Sequence, residues 1–271
     1  MRYICALTIA GSDCSGGAGI QADIKTMSAL GVYAAAAITS ITVQNTKGVK
    51  AVHGVNSLVV ADQIKAVMDD IKPDAVKIGM VNDSATIHAI ANTLKHYPKC
   101  PVVMDPIMVS TSGFNLMKPD ALKLFCDSLL PMSTLLTPNL PETEILSNMK
   151  INTIDDMDIA AQKIMSLGCN AVLIKGGHID GGEKVDRLYM ANGGVQTFTH
   201  KTIDTRNTHG TGCTLSSAIT SFIARGQNLV DAIAAAKNYL SQALEGGKDI
   251  HIGEGHGPVN HLFNPEKQIT L

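Results

Sequence analysis

A chain of 271 residues with 45% hydrophobic and 17% charged side chains can fill one large α/β domain with a substantial core, and a single domain over residues 1–271 is the simplest organisation. The net charge of −2, with no run of Lys or Arg longer than two, leaves no electrostatic footprint for nucleic acid or an anionic membrane, so small molecules are the expected partners. Six cysteines without a CxxC pair or a Cys/His ligand spacing argue against a zinc site and a disulfide framework, and point to the reducing cytosol.

Residues 1–10 are apolar but too short to span a bilayer, and residues 4–10 read as a buried first strand. The glycine loop 11–19 leads into a helix over 18–30, with Ile20, Ile24 and Met27 on one face and Gly31 as its stop. A strand over 35–43, a helix over 60–71 closed by Pro73, a strand over 75–78, a helix over 85–96 and a strand over 101–104 follow. A helix over 120–130, a strand over 134–136, a helix over 154–167 and a strand over 171–174 continue the pattern. Segments 185–190 and 195–200, around Asn192-Gly193-Gly194, read as an antiparallel edge hairpin, and 229–244 as a late helix. Short apolar runs alternating with helical patterns mark βαβ units and a largely parallel sheet; there is no internal repeat or low-complexity linker.

Polar residues follow six of these strands, where an open parallel sheet presents its ligand crevice. They are Gly11 to Gly19, Gln44 and Asn45, Met80, Asp105, Asn139 and Glu142, and Lys175-Gly176-Gly177. The most telling stretch is Asn207-Thr208-His209-Gly210-Thr211-Gly212-Cys213-Thr214, which runs into a helical stripe of Leu215, Ala218, Ile219, Phe222 and Ile223. A glycine turn that opens a helix aims unpaired N–H groups and the positive dipole end at an anion, and phosphate is the expected one. The same field favours a thiolate at the first turn, so Cys213 is expected to take a proton from an alcohol. Phosphoryl transfer is the chemistry these features support.

Two familiar phosphate motifs are absent. Gly17-Ala18-Gly19-Ile20-Gln21-Ala22 matches G-x-G-x-x-A, but no acid stands about 20 residues on; after Asp23 the next is Asp62. No G-x-x-x-x-G-K-[ST] occurs. The first glycine loop therefore reads as one that lets backbone approach a small flat substrate.

Together, Thr8-Ile9-Ala10-Gly11-Ser12-Asp13, Ser15 to Asp23, Val43-Gln44-Asn45-Thr46, Lys77-Ile78-Gly79-Met80, Asp105-Pro106-Ile107-Met108-Val109, Thr137 to Glu142, Lys175-Gly176-Gly177-His178 and Asn207 to Thr214 resemble the hydroxymethylpyrimidine/phosphomethylpyrimidine kinase (ThiD) family of thiamine biosynthesis. The resemblance spans nearly the whole chain. It implies a ribokinase-like three-layer α/β/α sandwich, a mostly parallel sheet with an antiparallel edge hairpin, a cytoplasmic homodimer, and two successive MgATP-dependent phosphorylations of 4-amino-5-hydroxymethyl-2-methylpyrimidine. Cys14 departs from the proline expected there, which should alter the stiffness of the loop more than the chemistry.

Roles can be assigned to the positions the resemblance picks out. A carboxamide can meet the ring nitrogen and the exocyclic amine of an aminopyrimidine at once, so Gln44 is the expected ring reader. Gly11 brings backbone to the substrate, Asp23 is expected to hold its hydroxymethyl or amine group, and Met80 and Ile107 to sandwich the ring. Lys175 is the expected fixed cation for phosphate, with Asn139, Thr208, Gly210, Thr211 and Gly212 around ATP. Glu142 and Asp105 suit Mg²⁺, partly through water. His209 is a rival base to Cys213 but is read as orienting its loop. Residues 237–240 and the hairpin edge are the expected adenine side, and 110–116 a candidate flap. Two alternatives stand beside this reading: a pyridoxal or pyridoxine kinase on the same fold, and a non-catalytic pyrimidine-binding sensor.

Overall fold

In the computed structural model, which describes residues 1–109, 113, 116–118, 120–176 and 183–271, the described residues form one nine-stranded sheet. In chain order the elements are β1 (Cys5–Asp13), α1 (Gly19–Ala29), β2 (Tyr33–Asn45), β3 (Gly48–Gly54), α2 (Ser57–Asp70), β4 (Ala75–Ile78), α3 (Ser84–Leu94), β5 (Val102–Met104), α4 (Ala121–Leu124), β6 (Leu135–Leu136), α5 (Leu140–Ser147), α6 (Ile154–Met165), β7 (Ala171–Lys175), β8 (Glu183–Met190), β9 (Val195–Lys201), α7 (Thr211–Ala224) and α8 (Leu229–Glu245). The strand order is β3-β2-β1-β4-β5-β6-β7-β8-β9. The run from β2 to β7 is parallel; β3 at one edge, and β8 with β9 at the other, are antiparallel.

Successive strand residues face opposite sides of a sheet, and the core divides accordingly. Leu7, Ile9, Val76, Ile78, Met104, Val172 and Ile174 pack on one side with Ile64 of α2, Ile87 and Ile90 of α3, and Ile164 of α6. Val103, Leu135, Leu173 and Leu188 pack on the other with Leu215, Ala218, Ile219 and Phe222 of α7 and Ile233 and Ala236 of α8. Ala6 packs with Met27 of α1. Two helical layers thus cover both faces of a parallel sheet, as the α/β/α expectation required.

Every strand expected from sequence is present within three residues of its anticipated bounds. Three features differ. β3 is an additional edge strand, paired to an extended β2 whose ladder shifts register between Val43 and Gln44, so Gln44 lies within the strand rather than after it. α5 is an additional helix, opened by a capping box in which the Asn139 side chain accepts from Glu142 N–H and the Glu142 carboxylate accepts from Asn139 N–H. The helix expected over 120–130 is α-helical only to Leu124; it widens to one π turn at Phe125–Leu129 and tightens to a 3₁₀ turn at Leu130–Met132, where Pro131 supplies no N–H. Of the candidate flap, only Gly113 and Leu116 lie among the described residues, and Gly177 and His178 lie outside them.

A buried ionic node ties these layers together directly behind the start of α7. Lys77 Nζ on β4 meets both carboxylate oxygens of Asp23 on α1 at 3.0 and 2.8 Å, and both side chains are fully buried. Thr8 Oγ1 on β1 and Ser217 Oγ on α7 donate to the same carboxylate at 2.6 and 2.5 Å. Burial opposes the Lys77 ammonium, but Asp23, joined by Cys213 and Asp105, more than offsets it and holds the pKa above its ordinary value. Asp23 is therefore not placed to hold substrate, because its oxygens are already committed inside the fold. Asp23→Asn should leave Lys77 buried without its counter-charge and lower unfolding free energy by about 3–5 kcal/mol, whereas the double change Asp23→Leu with Lys77→Met should recover most of that loss. Urea denaturation of the three proteins checks this; equal losses in the single and double variants would refute it.

Candidate active site

β1 ends at Asp13, and the chain must then turn away from the sheet to reach α1. Asp13 holds that turn. Its carboxylate accepts from the N–H groups of Ser15, Gly17 and Ala18 at 2.8, 3.1 and 2.8 Å and from Ser15 Oγ at 2.7 Å. A further bond, 2.8 Å, joins it to Nε2 of His209, just ahead of α7. Burial alone would raise this carboxyl, but His209, Ser15 and Ala18 outweigh it and bring the pKa down to about 2.

The two glycine loops are in direct contact. Gly210 caps α7 at φ +80°, and a Cβ there would collide with the Gly17 carbonyl. β2 runs beyond the end of β1, and Cys14 takes over as its partner. The exposed Cys14 thiol reaches the Gln44 carbonyl at 3.1 Å, and Gln44 N–H points back to the sulfur at 3.4 Å. The residue that departs from the expected proline thus supplies a last rung to the ladder that carries Gln44.

These loops open onto a cavity of about 460 Å³ at the C-terminal ends of the parallel strands. Gly11, Gln44, Met80 and Ile107 line it together with Asn139, Glu142, Asp105, Lys175, Thr208, Gly210, Thr211, Gly212 and Cys213. Of the residues expected at the site, Asp23 alone is missing from its walls. Lys237 and Leu240, the expected adenine side, also line it, joined by Ser241 and Leu244 of α8, by Lys201 at the end of β9 and by Ile203 after it.

At the phosphate end, Lys175 Nζ lies 3.1 Å from Asp105 Oδ1, which also accepts from Thr137 Oγ1 at 3.2 Å. A Cβ on Gly212 would stand 3.3 Å from Asp105 Oδ2 and 3.6 Å from Lys175 Nζ, so the first turn of α7 lies directly against this pair and a larger residue would crowd the Asp105 carboxylate. Burial works against the Lys175 charge, but Asp105 and Glu142 more than offset it and raise the pKa. Glu142 is buried beside them. Desolvation pushes its pKa up to about 7, Lys175 pulling it down and Asp105 adding to the rise.

The expectation of a readily formed thiolate at Cys213 is overturned. Burial pushes that thiol up to about 12; Lys77 pulls it down, while Asp23 and Asp105 push it higher.

Among the described residues no group of three or more His, Cys, Asp or Glu side chains converges as a metal cage. Asp105 and Glu142 nevertheless suit Mg²⁺, which is held by one or two carboxylates plus phosphate oxygens and water. A carboxyl that burial keeps near pH 7 is stabilised as an anion by an arriving cation. No helix among the described residues is long and apolar enough to cross a membrane.

Sequence reasoning assigned no role to Asp13, Thr42, Lys77 or Asp186, and placed Lys237 on the adenine side without its pairing to Asp186. Asp186 Oδ2 and Lys237 Nζ are 2.5 Å apart on the cavity wall, and Asp186 Oδ1 accepts from Gly176 N–H at 3.1 Å. Asp13, two residues before Ser15 in a glycine-rich turn, carried an Asx-turn signal; Thr42, Lys77 and Asp186 carried none, being single polar residues within strands.

Comparison with known proteins gives concordant matches. The phosphomethylpyrimidine kinase family model matches residues 13–260. A hydroxymethylpyrimidine/phosphomethylpyrimidine kinase of Rhizobium meliloti is 48% identical over 259 residues, covering 95% of this chain and 96% of that protein. The crystal structure of a phosphomethylpyrimidine kinase from Clostridium difficile superposes with TM-score 0.79 at 47% identity, covering 89% of this chain and 99% of that one. The pyridoxal kinase of Staphylococcus aureus, in complex with AMP-PCP and pyridoxal, superposes with TM-score 0.87 at 32% identity, covering 98% and 97%.

The Glu142 carboxyl makes a pH signature. Its folded pKa of about 7 exceeds the ordinary 4.5, so as pH rises from about 4.5 to about 7 the unfolded chain releases this proton first and the folded state loses stability. Glu142→Gln keeps the capping-box acceptor and removes the titration. Its denaturation midpoint should therefore fall less than that of the unaltered protein over this window; parallel curves would refute the assignment.

Proposed function

Because the chain belongs to the phosphomethylpyrimidine kinase family, we propose that its strand-end cavity is where a hydroxymethylpyrimidine, and then its monophosphate, meets ATP. The protein is a kinase of thiamine biosynthesis that phosphorylates 4-amino-5-hydroxymethyl-2-methylpyrimidine and then the product. The observation that carries the site assignment is the Lys175–Asp105 pair beside Gly212, in the same cavity as Gln44.

Gln44 reads the ring nitrogen and amine, Gly11 brings backbone to the ring, and Met80 and Ile107 contact its faces. The transition state spreads negative charge over the transferred oxygens, so this chain's part is positioning and neutralisation. Lys175 supplies the fixed positive charge. The N–H groups of Gly210, Thr211, Gly212 and Cys213 cradle the moving phosphate, each donor being worth about 3 kcal/mol in comparable anion holes. Thr208 and Asn139 border the nucleotide phosphates, and Leu240, Leu244 and Ile203 give an apolar wall for adenine. Asp105 and Glu142 would hold Mg²⁺, which neutralises phosphate charge when bound.

Cys213 is the proposed proton acceptor, and only for the alcohol. The monophosphate is already largely ionised near neutral pH. With its thiol pushed up to about 12, Cys213 works against a steep cost at neutral pH, so the alcohol step should accelerate toward alkaline pH while the second step does not. The organisation proposed is one ribokinase-like domain in a cytoplasmic homodimer. All six cysteines are free thiols, and the half-exposed Ile41 and Val43 on β2 offer apolar surface for a second copy.

Pyridoxal kinase activity is a second reading, favoured by the TM-score of 0.87 to the Staphylococcus aureus enzyme. The pyridine of pyridoxal has a ring nitrogen but no amine beside it, and a buried amide left unmatched costs about 1–3 kcal/mol. Pyridoxal should therefore be turned over with kcat/KM about tenfold to a hundredfold below that of hydroxymethylpyrimidine. ATP consumption with hydroxymethylpyrimidine, its monophosphate and pyridoxal, measured in parallel, tests this; a preference for pyridoxal would reverse the two readings. In single-turnover assays Cys213→Ser should slow alcohol phosphorylation at least about a hundredfold more than phosphorylation of the monophosphate. Equal losses at both steps would remove Cys213 from the base role.

A further inference from the structure

Gln44 is flanked by two polar side chains, and both constrain its carboxamide. With Nε2 turned toward His209 the amide nitrogen lies 3.2 Å from the ring Nε2, and Oε1 lies 3.3 Å from Thr42 Oγ1. The Asp13 carboxylate, 2.8 Å from that same ring nitrogen, can only accept, so His209 Nε2 carries a hydrogen. In this orientation a ring N–H faces an amide NH₂, donor against donor. On the other side, the single hydroxyl hydrogen of Thr42 goes to the Ser12 carbonyl at 2.9 Å, its shorter contact. The Thr42 oxygen then faces Gln44 Oε1, acceptor against acceptor. A half-turn about the terminal torsion exchanges two groups of nearly equal size: the Gln44 NH₂ then donates to the Thr42 oxygen, and Oε1 becomes the second, longer acceptor of the one ring N–H that Asp13 holds at 2.8 Å, which removes both conflicts.

We propose that Asp13, His209 and Thr42 are specificity-determining positioning residues that lock the Gln44 carboxamide with its oxygen toward His209 and its NH₂ toward Thr42. This rests on the reading of Gln44 as the residue that meets the substrate ring. So held, the amide keeps one lone pair and one N–H for a ligand, each at a fixed place. A 4-aminopyrimidine supplies an amine N–H beside a ring-nitrogen acceptor and satisfies both. The 4-oxo analogue supplies a carbonyl beside a ring N–H, the reverse pattern. To accept it, Gln44 must turn back and restore both conflicts at once. Thr42 and His209 are buried, so water does not relieve the mismatch. The lock also spans the molecule: Asp13 closes β1, Thr42 lies on β2 and His209 precedes α7.

The test compares kcat/KM for the 4-amino and 4-oxo forms of hydroxymethylpyrimidine. The unaltered enzyme should prefer the amine by about a hundredfold or more. Thr42→Val and His209→Phe should each shrink that preference about tenfold, chiefly through a lower KM for the oxo compound, and Thr42→Ser should retain it. Equal loss on both substrates in the Val and Phe variants, with the preference unmoved, overturns the lock. Gln44→Leu separates the two ideas. If it abolishes the preference while Thr42→Val and His209→Phe do not, only the lock fails; if it leaves the preference intact, the ring-reader assignment fails and the lock with it. The unaltered ¹⁵N-labelled protein gives a check independent of any variant. Cross-peaks from the Gln44 side-chain amide protons to the Thr42 methyl are expected, and cross-peaks to the His209 ring instead would overturn the proposal.

Discussion

Asp13 and His209 are 196 residues apart in sequence and 2.8 Å apart in space. Much of the site's geometry hangs on that bond. On one side of it, Asp13 gathers three backbone N–H groups of the first glycine loop and so fixes how the chain leaves β1. On the other, His209 leads directly into Gly210 and the first turn of α7. A carboxylate with this many donors is stable as an anion in a setting that would otherwise neutralise it, and the cost of burying it is offset by bonds that also join two distant parts of the chain. The contact between Gly210 and Gly17 follows, because two loops pinned by one carboxylate have no room for a side chain between them.

The strand and helix pattern was legible in the sequence because a doubly covered parallel sheet writes its strands as nearly unbroken apolar runs. The phosphate end was legible for a related reason: glycines before a helix, a lysine after a strand and acids after strands are local signals. What escaped was set by tertiary contact. β3 is short, polar at Lys50 and His53, and exists because β2 offers it the edge that faces away from β1, over Ser40 to Asn45. Asp23 looks like a ligand-facing acid at the start of a helix; only the structure shows Lys77, Thr8 and Ser217 converging on it from three other elements. Glu142 was visible as an acid near the site, yet Asn139-Leu140-Pro141-Glu142 is also a helix-start signature, and the carboxylate serves that cap as well as facing the cavity.

Cys213 shows how competing magnitudes decide a local property. A helix N-terminus contributes up to about 2 kcal/mol in favourable, partly buried geometry, which is about 1.5 pKa units. Burial acts on the same thiol in the opposite direction, and the outcome is a rise from 9.0 to about 12. The adjacent Asp23–Lys77 pair contributes two charges of opposite sign, one lowering and one raising the thiol, so it organises the helix start more than it biases the thiol. Glycine placement, not cysteine acidity, is what the sequence motif encodes most directly.

Gln44, the proposed ring reader, hangs from the tip of β2, where the sheet has already run out of parallel neighbours and Cys14 stands in for one. The groups proposed to handle phosphate hang from β5, β7 and α7, on different branches of the scaffold. His209 is the joint between the two branches, since it touches Gln44 on one side and opens the turn into α7 on the other. Drift at the strand tip is thereby held in check by the same imidazole that sets where the helix begins.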